Sequence, residues 1–301
     1  MSTRNVPVAD TRFLLREGGS GDGTPVLLLH GVPETSSSWR EILPALAVGR
    51  RVLAPDLPGL GGSSYSGPYD VPSVVAQVVA LLDAELPGQR VDVVGHDWGT
   101  SIALGLAGLH PDRVRRLAVS NGVYRHVNLL RAAHVAFFAV PAAPELLFRL
   151  GGKKVVDVMF SLAWKATDVT LDPEVMAEYT AAYTDPTHVT AMLGYYRAAV
   201  RPRIAAALSR SKPEGQPRVA AEKMLVFWGA ADPVLPISVG ESIVKDLGPT
   251  CDMVTIPGAG HFVLEEATPI VIETLLAFLG QDPAPAAKKA AAKKAAPPEK
   301  G

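Results

Sequence analysis

The stretch Val91-Asp92-Val93-Val94-Gly95-His96-Asp97-Trp98-Gly99 decides the fold that this sequence predicts. Residues 91–94 form a short apolar run typical of a buried strand, and residues 100–109 continue with a helical pattern. The two glycines between them allow a tight turn that lifts the central side chain above the sheet, because a Cβ would obstruct such a turn. We therefore expect Asp97 to stand exposed as a nucleophile, with a simple helix-capping turn as the alternative.

Short apolar runs alternate with helical stretches on both sides of this turn. Residues 13–16 and 26–29 flank a Gly-rich turn and predict a hairpin. Further strands and helices are predicted at residues 52–54, 74–86, 117–120, 224–228, 253–256 and 269–279. This alternation predicts an α/β fold in which a mostly parallel central sheet has helices on both faces.

The segment from about Arg125 to Lys212 has a different pattern, since it is helical throughout and shows no convincing strand. It separates two strand–helix units, at the edge of the sheet where loops carry the chemistry of such folds. We expect an inserted helical cap at residues 124–212, covering a core formed by residues 1–123 and 213–282.

Composition excludes several classes of protein. The 301 residues are 48% hydrophobic and 20% charged, which is too apolar for a disordered chain. The net charge of −1 provides no overall field for nucleic acid or an anionic membrane. No apolar run approaches the roughly 18 residues of a membrane span, and residues 1–10 lack the pattern of a signal peptide. With a single cysteine, Cys251, these features predict a cytoplasmic protein.

The near-neutral charge is a sum of two unequal parts. Residues 283–301 contain five lysines and one glutamate, a net of +4, which leaves −5 for the remainder. This Ala-, Pro- and Lys-rich segment has nothing with which to build a core, so we expect a disordered tail.

Two further turns supply the partners that a carboxylate nucleophile requires. An ester formed on Asp97 must be hydrolysed by water, which needs a base and an acid that orients the base. His261 lies in a Gly-flanked loop after a predicted strand, and Asp232 follows the preceding strand. The order nucleophile, acid, base favours a triad of Asp97, Asp232 and His261. For the oxyanion hole we expect the backbone N–H groups of Val32 and Trp98.

We expect neither a metal nor a cofactor. The seven histidines are scattered without the spacing of a metal-binding helix, and the glycines of residues 59–62 do not fit a phosphate-binding loop.

Across residues 10–280 the sequence resembles the α/β-hydrolase superfamily, and within it the epoxide hydrolase and haloalkane dehalogenase group, which uses an Asp nucleophile. The matching segments are HGVP (30–33), DLPGLGGSS (56–64), GHDWG (95–99), GAADP (229–233) and GAGHF (258–262). The resemblance implies a small apolar substrate, attacked by Asp97, and water for the second step.

The cap favours epoxide hydrolysis to a vicinal diol. Gly194-Tyr195-Tyr196-Arg197 is similar to the cap segment in which these epoxide hydrolases carry a tyrosine that protonates the epoxide oxygen, and Tyr196 matches that tyrosine. The second cap position holds His134 instead of Tyr, as in some members of the group. An imidazole N–H can also donate to an epoxide oxygen.

Two alternatives remain open. A haloalkane dehalogenase would use Trp98 as a halide donor, but it would have Val32 where an Asn is common, and Trp164 is a conceivable second donor. A binder of small ligands without turnover is the weaker alternative. In each case the residues that we expect around the substrate are His30, Trp98, Trp164, Tyr195 and Phe262.

Overall fold

An eight-stranded sheet forms the centre of the protein. The computed structural model describes residues 1–124, 133–209 and 218–280. The strands are β1 (Ser2–Val8), β2 (Thr11–Gly18), β3 (Gly23–Leu29), β4 (Arg50–Pro55), β5 (Val91–His96), β6 (Val114–Ser120), β7 (Lys223–Gly229) and β8 (Cys251–Ile256). They lie in the order β1-β2-β4-β3-β5-β6-β7-β8.

The sheet is parallel from β4 through β8, and only β1 and β2 run antiparallel to their neighbours. The predicted mostly parallel sheet is therefore confirmed. The predicted hairpin between residues 13–16 and 26–29 is wrong, because β4 lies between β2 and β3. The hairpin partner of β2 is β1, an exposed edge strand. Its polar residues and Pro7 give it no hydrophobic pattern from which a strand could be predicted.

Eleven α-helices are found among the described residues. They are α1 (Ile42–Leu46), α2 (Val71–Glu85), α3 (Trp98–Leu109), α4 (Ala133–Ala139), α5 (Ala143–Gly151), α6 (Lys153–Ala163), α7 (Pro173–Thr184), α8 (Pro186–Ser209), α9 (Ile237–Leu247), α10 (Val263–Glu266) and α11 (Thr268–Leu279). None of the helices within these residues is both long enough and apolar enough to cross a membrane.

Alternate residues of the central strands pack into two separate apolar clusters, one on each face of the sheet. Leu27 and Leu29 of β3 join α2, α3 and α9 in one cluster, whereas Val26 and Leu28 join α1 and α11 in the other. The sheet is thus buried on both faces, which explains why its inner strands are almost continuously apolar in sequence.

Helices α4 to α8, which we call the cap helices, follow β6 and precede β7. Where the structure describes this part of the chain, it contains helices and no strand. The division into a core (1–123 and 213–282) and a cap (124–212) stays a prediction, and the predicted tail at 283–301 lies outside the described residues.

Candidate active site

Asp97 occupies a strained turn between β5 and α3. Its backbone has φ 48° and ψ −114°, a conformation that costs a residue with a Cβ about 1–3 kcal/mol. Glycines are needed around it, since a Cβ on Gly95 would lie 2.3 Å from the carbonyl oxygen of Gly99. A Cβ on Gly31 would lie 2.4 Å from Cβ of Asp97 itself. The motif therefore produces the sharp turn that its glycines predict.

The two other residues of the predicted triad meet Asp97 at the carboxyl edge of the sheet. His261, in the loop after β8, donates from Nδ1 to Oδ2 of Asp232 over 2.8 Å. Its Nε2 lies 3.4 Å from Oδ2 of Asp97. Asp232 also accepts a 2.8 Å hydrogen bond from the side chain of Asn121, which directly follows β6. The imidazole thus lies between two carboxylates.

Each of these three side chains stabilises the charged form of its neighbour. Burial opposes the charge on His261, but Asp232 and Asp97 together raise the pKa of the imidazole well above its ordinary value. Burial likewise opposes ionisation of Asp97, yet the hydrogen bond and charge of His261 lower the pKa of this carboxyl. Both shifts favour an ionised Asp97 beside an imidazolium in the free site.

The loop after β3 contributes a backbone donor to the same carboxylate. The N–H of Val32 donates to Oδ1 of Asp97 over 2.9 Å. Trp98 is the first residue of α3, where backbone N–H groups have no partner inside the helix. Of the two predicted oxyanion donors, Val32 thus donates to the carboxylate of Asp97, and the role of Trp98 stays a prediction.

A mainly apolar cavity of about 200 Å³ lies over Asp97. Its lining residues come from the cap helices and from other parts of the chain: Val32, Pro33, Asp97, Trp98, Val123, His134, Val135, Phe138, Met159, Leu162, Ala163, Tyr196, Ala199, Val234, Leu235, His261 and Phe262. No Lys or Arg belongs to this lining as described, so the cavity suits an uncharged substrate.

Tyr196 and His134 face this cavity from the cap helices. Burial and the charge of Asp97 raise the pKa of Tyr196, so its hydroxyl keeps its proton. Its ring packs edge-on against Trp98 and Phe138, with centroids 5.1 Å and 5.0 Å away. Burial lowers the pKa of His134, which favours a neutral imidazole. Both cap residues therefore carry an N–H or O–H donor.

Three residues that we expected around the substrate are not part of the cavity lining. His30 is fully buried: Nδ1–H donates to the Gly31 carbonyl, and Nε2 accepts from the N–H of Leu57. The Tyr195 hydroxyl donates to the Pro58 carbonyl, and the Trp164 indole donates to the Ala166 carbonyl. In each case a backbone partner occupies the polar group, and this corrects the expectation of substrate contact.

Sequence reasoning missed a second buried pair below the triad. Glu34 and His96 are both completely buried, with Oε2 and Nε2 3.3 Å apart. Burial raises the pKa of Glu34 well above its ordinary value and lowers the pKa of His96 to about 3. Both shifts favour the neutral forms of the two side chains. Its only sequence signal is position, since Glu34 directly follows the HGVP segment and His96 precedes Asp97.

Within the described ranges, no group of three or more His, Cys, Asp or Glu side chains is arranged to bind an ion.

The chain is similar to proteins with two related activities. A soluble epoxide hydrolase of Corynebacterium sp. is 28% identical over 285 residues, covering 86% of this chain and 91% of that protein. A haloalkane dehalogenase of Mycolicibacterium paratuberculosis is 29% identical over 282 residues, covering 91% and 90%. A solved structure described as a novel epoxide hydrolase from metagenomes of hot environments superimposes with a TM-score of 0.78 at 26% identity, covering 92% and 98%.

The model of the alpha/beta hydrolase fold family matches residues 24–268, which include every strand from β4 to β8 and the turns of Asp97, Asp232 and His261. The protein therefore belongs to the α/β-hydrolase family.

Proposed function

We propose that this hydrolase converts a small apolar epoxide to a vicinal diol through an ester on Asp97. The observation that carries the proposal is the shared cavity: two proton donors of the cap, Tyr196 and His134, line the same apolar space as Asp97 and His261. A carboxylate nucleophile on one side and neutral donors on the other match the two ends of an epoxide C–O bond.

In the first step an Asp97 oxygen attacks the less hindered epoxide carbon and forms a new C–O bond. The ring C–O bond breaks, and its electron pair remains on the epoxide oxygen, which receives hydrogen bonds and a proton from the cap. Because its pKa is raised, Tyr196 is protonated before this step. His134 is a second donor to the same oxygen.

In the second step water hydrolyses the ester. Formation of the ester removes the negative charge of Asp97, which is one of the causes that raise the pKa of His261. The imidazolium then loses its Nε2 proton, which passes through water to the tyrosinate that the first step leaves at Tyr196. The neutral imidazole accepts a proton from the attacking water, while Asp232 keeps it oriented. The C–O bond between the Asp97 carbonyl carbon and the substrate breaks, the diol leaves with one proton, and Asp97 is again a carboxylate. The N–H groups of Val32 and Trp98 stabilise the oxyanion formed at the Asp97 carbonyl.

Dehalogenation of an alkyl halide is the second candidate, favoured by the indole of Trp98 in the cavity lining and by the dehalogenase relative. Trp164, the expected second halide donor, donates instead to the Ala166 carbonyl. Without that donor a leaving halide receives less stabilisation, so we propose epoxide opening first.

Parallel incubation with styrene oxide and with 1-bromobutane tests the choice, with diol and bromide measured separately. We expect diol formation and little bromide. A His261→Gln variant should accumulate the ester, detected by mass spectrometry as a gain of the mass of styrene oxide on the Asp97 peptide. Bromide without diol would overturn the proposal in favour of dehalogenation, and a wild-type protein and variant that yield neither product nor adduct would contradict both.

A further inference from the structure

Glu266, the last residue of α10, is a buried acid that accepts hydrogen bonds from two distant parts of the chain. Its Oε2 accepts from the backbone N–H groups of Lys165 and Ala166, each over 2.7 Å, just beyond α6 of the cap. The same side chain accepts from Gly260 over 3.0 Å and from Phe262 over 3.1 Å. One carboxylate thus connects the end of a cap helix with both neighbours of His261.

The cap also contacts the backbone of His261 directly. The N–H of His261 donates to the carbonyl oxygen of Ala163, the last residue of α6, over 3.1 Å. This approach requires glycine at position 260, where a Cβ would lie 2.5 Å from the same carbonyl oxygen. The backbone on both sides of the His261 side chain is therefore held by the segment 163–166 and by Glu266.

We propose that Glu266 is a positioning residue, which clamps the cap segment 163–166 to the loop of His261 and so sets the orientation of the base for ester hydrolysis. This inference rests on the proposed function for its catalytic consequence. Ester formation depends on Asp97 and the donors of the cap, whereas hydrolysis also depends on where His261 Nε2 places water. Loss of the clamp should therefore slow the second step selectively.

The neighbouring Glu265 provides a matched control. It is buried to a similar extent, 7% exposed against 5% for Glu266, and it also joins the core to the cap. Its carboxylate pairs with Arg40 and accepts a 2.8 Å hydrogen bond from Tyr179 of α7. These bonds reach no residue of the loop 260–262, so Glu265→Gln perturbs the contact between core and cap without releasing His261.

The kinetic test follows single turnovers of styrene oxide by mass spectrometry, which separates ester formation from ester decay. We expect Glu266→Ala to slow decay by about 10- to 100-fold and to change the rate of formation less than threefold. Steady-state kcat and KM should then fall together. Glu266→Gln, which keeps one carbonyl acceptor and is the gentler change, should show a smaller loss of the same kind.

A second measurement needs no substrate. We expect the proton on His261 Nδ1, which is bonded to Asp232, to give a low-field proton NMR signal. We expect this signal to shift or broaden in Glu266→Gln and to persist in Glu265→Gln. An unchanged signal in Glu266→Gln overturns the positioning role whatever the activity. Equal slowing of both steps, or the same slowing of decay in Glu265→Gln, also overturns it. Absence of turnover in the wild type contradicts the proposed function, and the NMR comparison then decides the clamp alone.

Discussion

The two sides of the cavity are built in different ways. On the core side, Asp97, Asp232 and His261 extend from turns at the ends of parallel strands, and each has a polar partner. On the cap side, Tyr196 and His134 belong to helices and pack with the aromatic ring of Phe138. The strand ends fix the proposed nucleophile and base, whereas helix packing determines which donors and apolar groups face them. If this difference holds, changes at the strand ends should abolish the reaction, and changes on the cap helices should alter which substrate reacts.

Asp97→Ala should have the largest effect. Without the carboxylate no ester can form, and we expect diol formation to fall by about four orders of magnitude or more, as for other nucleophiles that act with a base. Turnover of styrene oxide measures the loss. Circular dichroism should show a fold unchanged from the wild type, and substantial activity in this variant would exclude covalent catalysis by Asp97.

Tyr196→Phe should lower diol formation by about 100-fold, because it removes one donor to the epoxide oxygen and keeps the ring that packs on Trp98. If any bromide is released from 1-bromobutane, its rate should change much less, since a halide requires no proton.

Tyr195→Phe is the matched control for this prediction, because the Tyr195 hydroxyl donates to Pro58 outside the cavity. It should change thermal stability more than turnover. If both phenylalanine variants lose activity equally, the cap side does not supply the proton through Tyr196.

A third prediction concerns the strain at Asp97 and is measured by urea unfolding. Asp97→Gly should be more stable than Asp97→Ala by about 1 kcal/mol. Relief of about 1–3 kcal/mol of backbone strain exceeds the roughly 0.5–1 kcal/mol that glycine costs through the entropy of the unfolded chain. Ala103→Gly, inside α3, should show the opposite sign. If Asp97→Gly is the less stable of the two, the turn stores no strain.

The smallest expected effect is the dependence of stability on pH at Glu34. Burial raises the pKa of Glu34 in the folded protein above its pKa in the unfolded chain. The resulting stabilisation is fully present when the pH is below the pKa of the unfolded chain, and it is lost as the pH rises through the pKa of the folded protein. The side chain of Glu34→Gln does not titrate, so this variant does not lose stability in this way as the pH rises. The Tm of the variant minus the Tm of the wild type should increase by a few degrees from pH 5 to pH 8. The exposed Glu41→Gln serves as control, and a difference independent of pH would contradict a protonated Glu34.

The core side could be predicted from the sequence because its information is local. Gly95, Gly99 and Gly31 fix tight turns, and the order of Asp97, Asp232 and His261 follows the order of the strands. The failed hairpin depends on packing between distant segments. The hairpin between residues 13–16 and 26–29 was wrong because β4 inserts between the strands.

Substrate contacts of the cap were harder to predict for the same reason. Tyr195 and Tyr196 are adjacent and chemically identical, and only the rotation of α8 places one hydroxyl on Pro58 and the other ring at the cavity. Trp164 differs, because its indole donates to the carbonyl of Ala166, only two residues further along the chain. A pattern of residue types contains no signal for this rotation, so the sequence indicated the donors and not their directions.

The buried ring of His30 affects how the rate of the proposed ester hydrolysis depends on pH. Its neutral ring accepts from the N–H of Leu57 and donates to the carbonyl of Gly31, and it thereby fixes the start of the loop that carries Val32. Burial lowers the pKa of His30, so this ring stays neutral while groups in the cavity titrate. Mild acid therefore does not protonate the side chain that holds the loop of Val32, the proposed oxyanion donor. In the proposed reaction, a decline in ester hydrolysis towards lower pH therefore reports groups of the cavity, His261 and His134, and not His30.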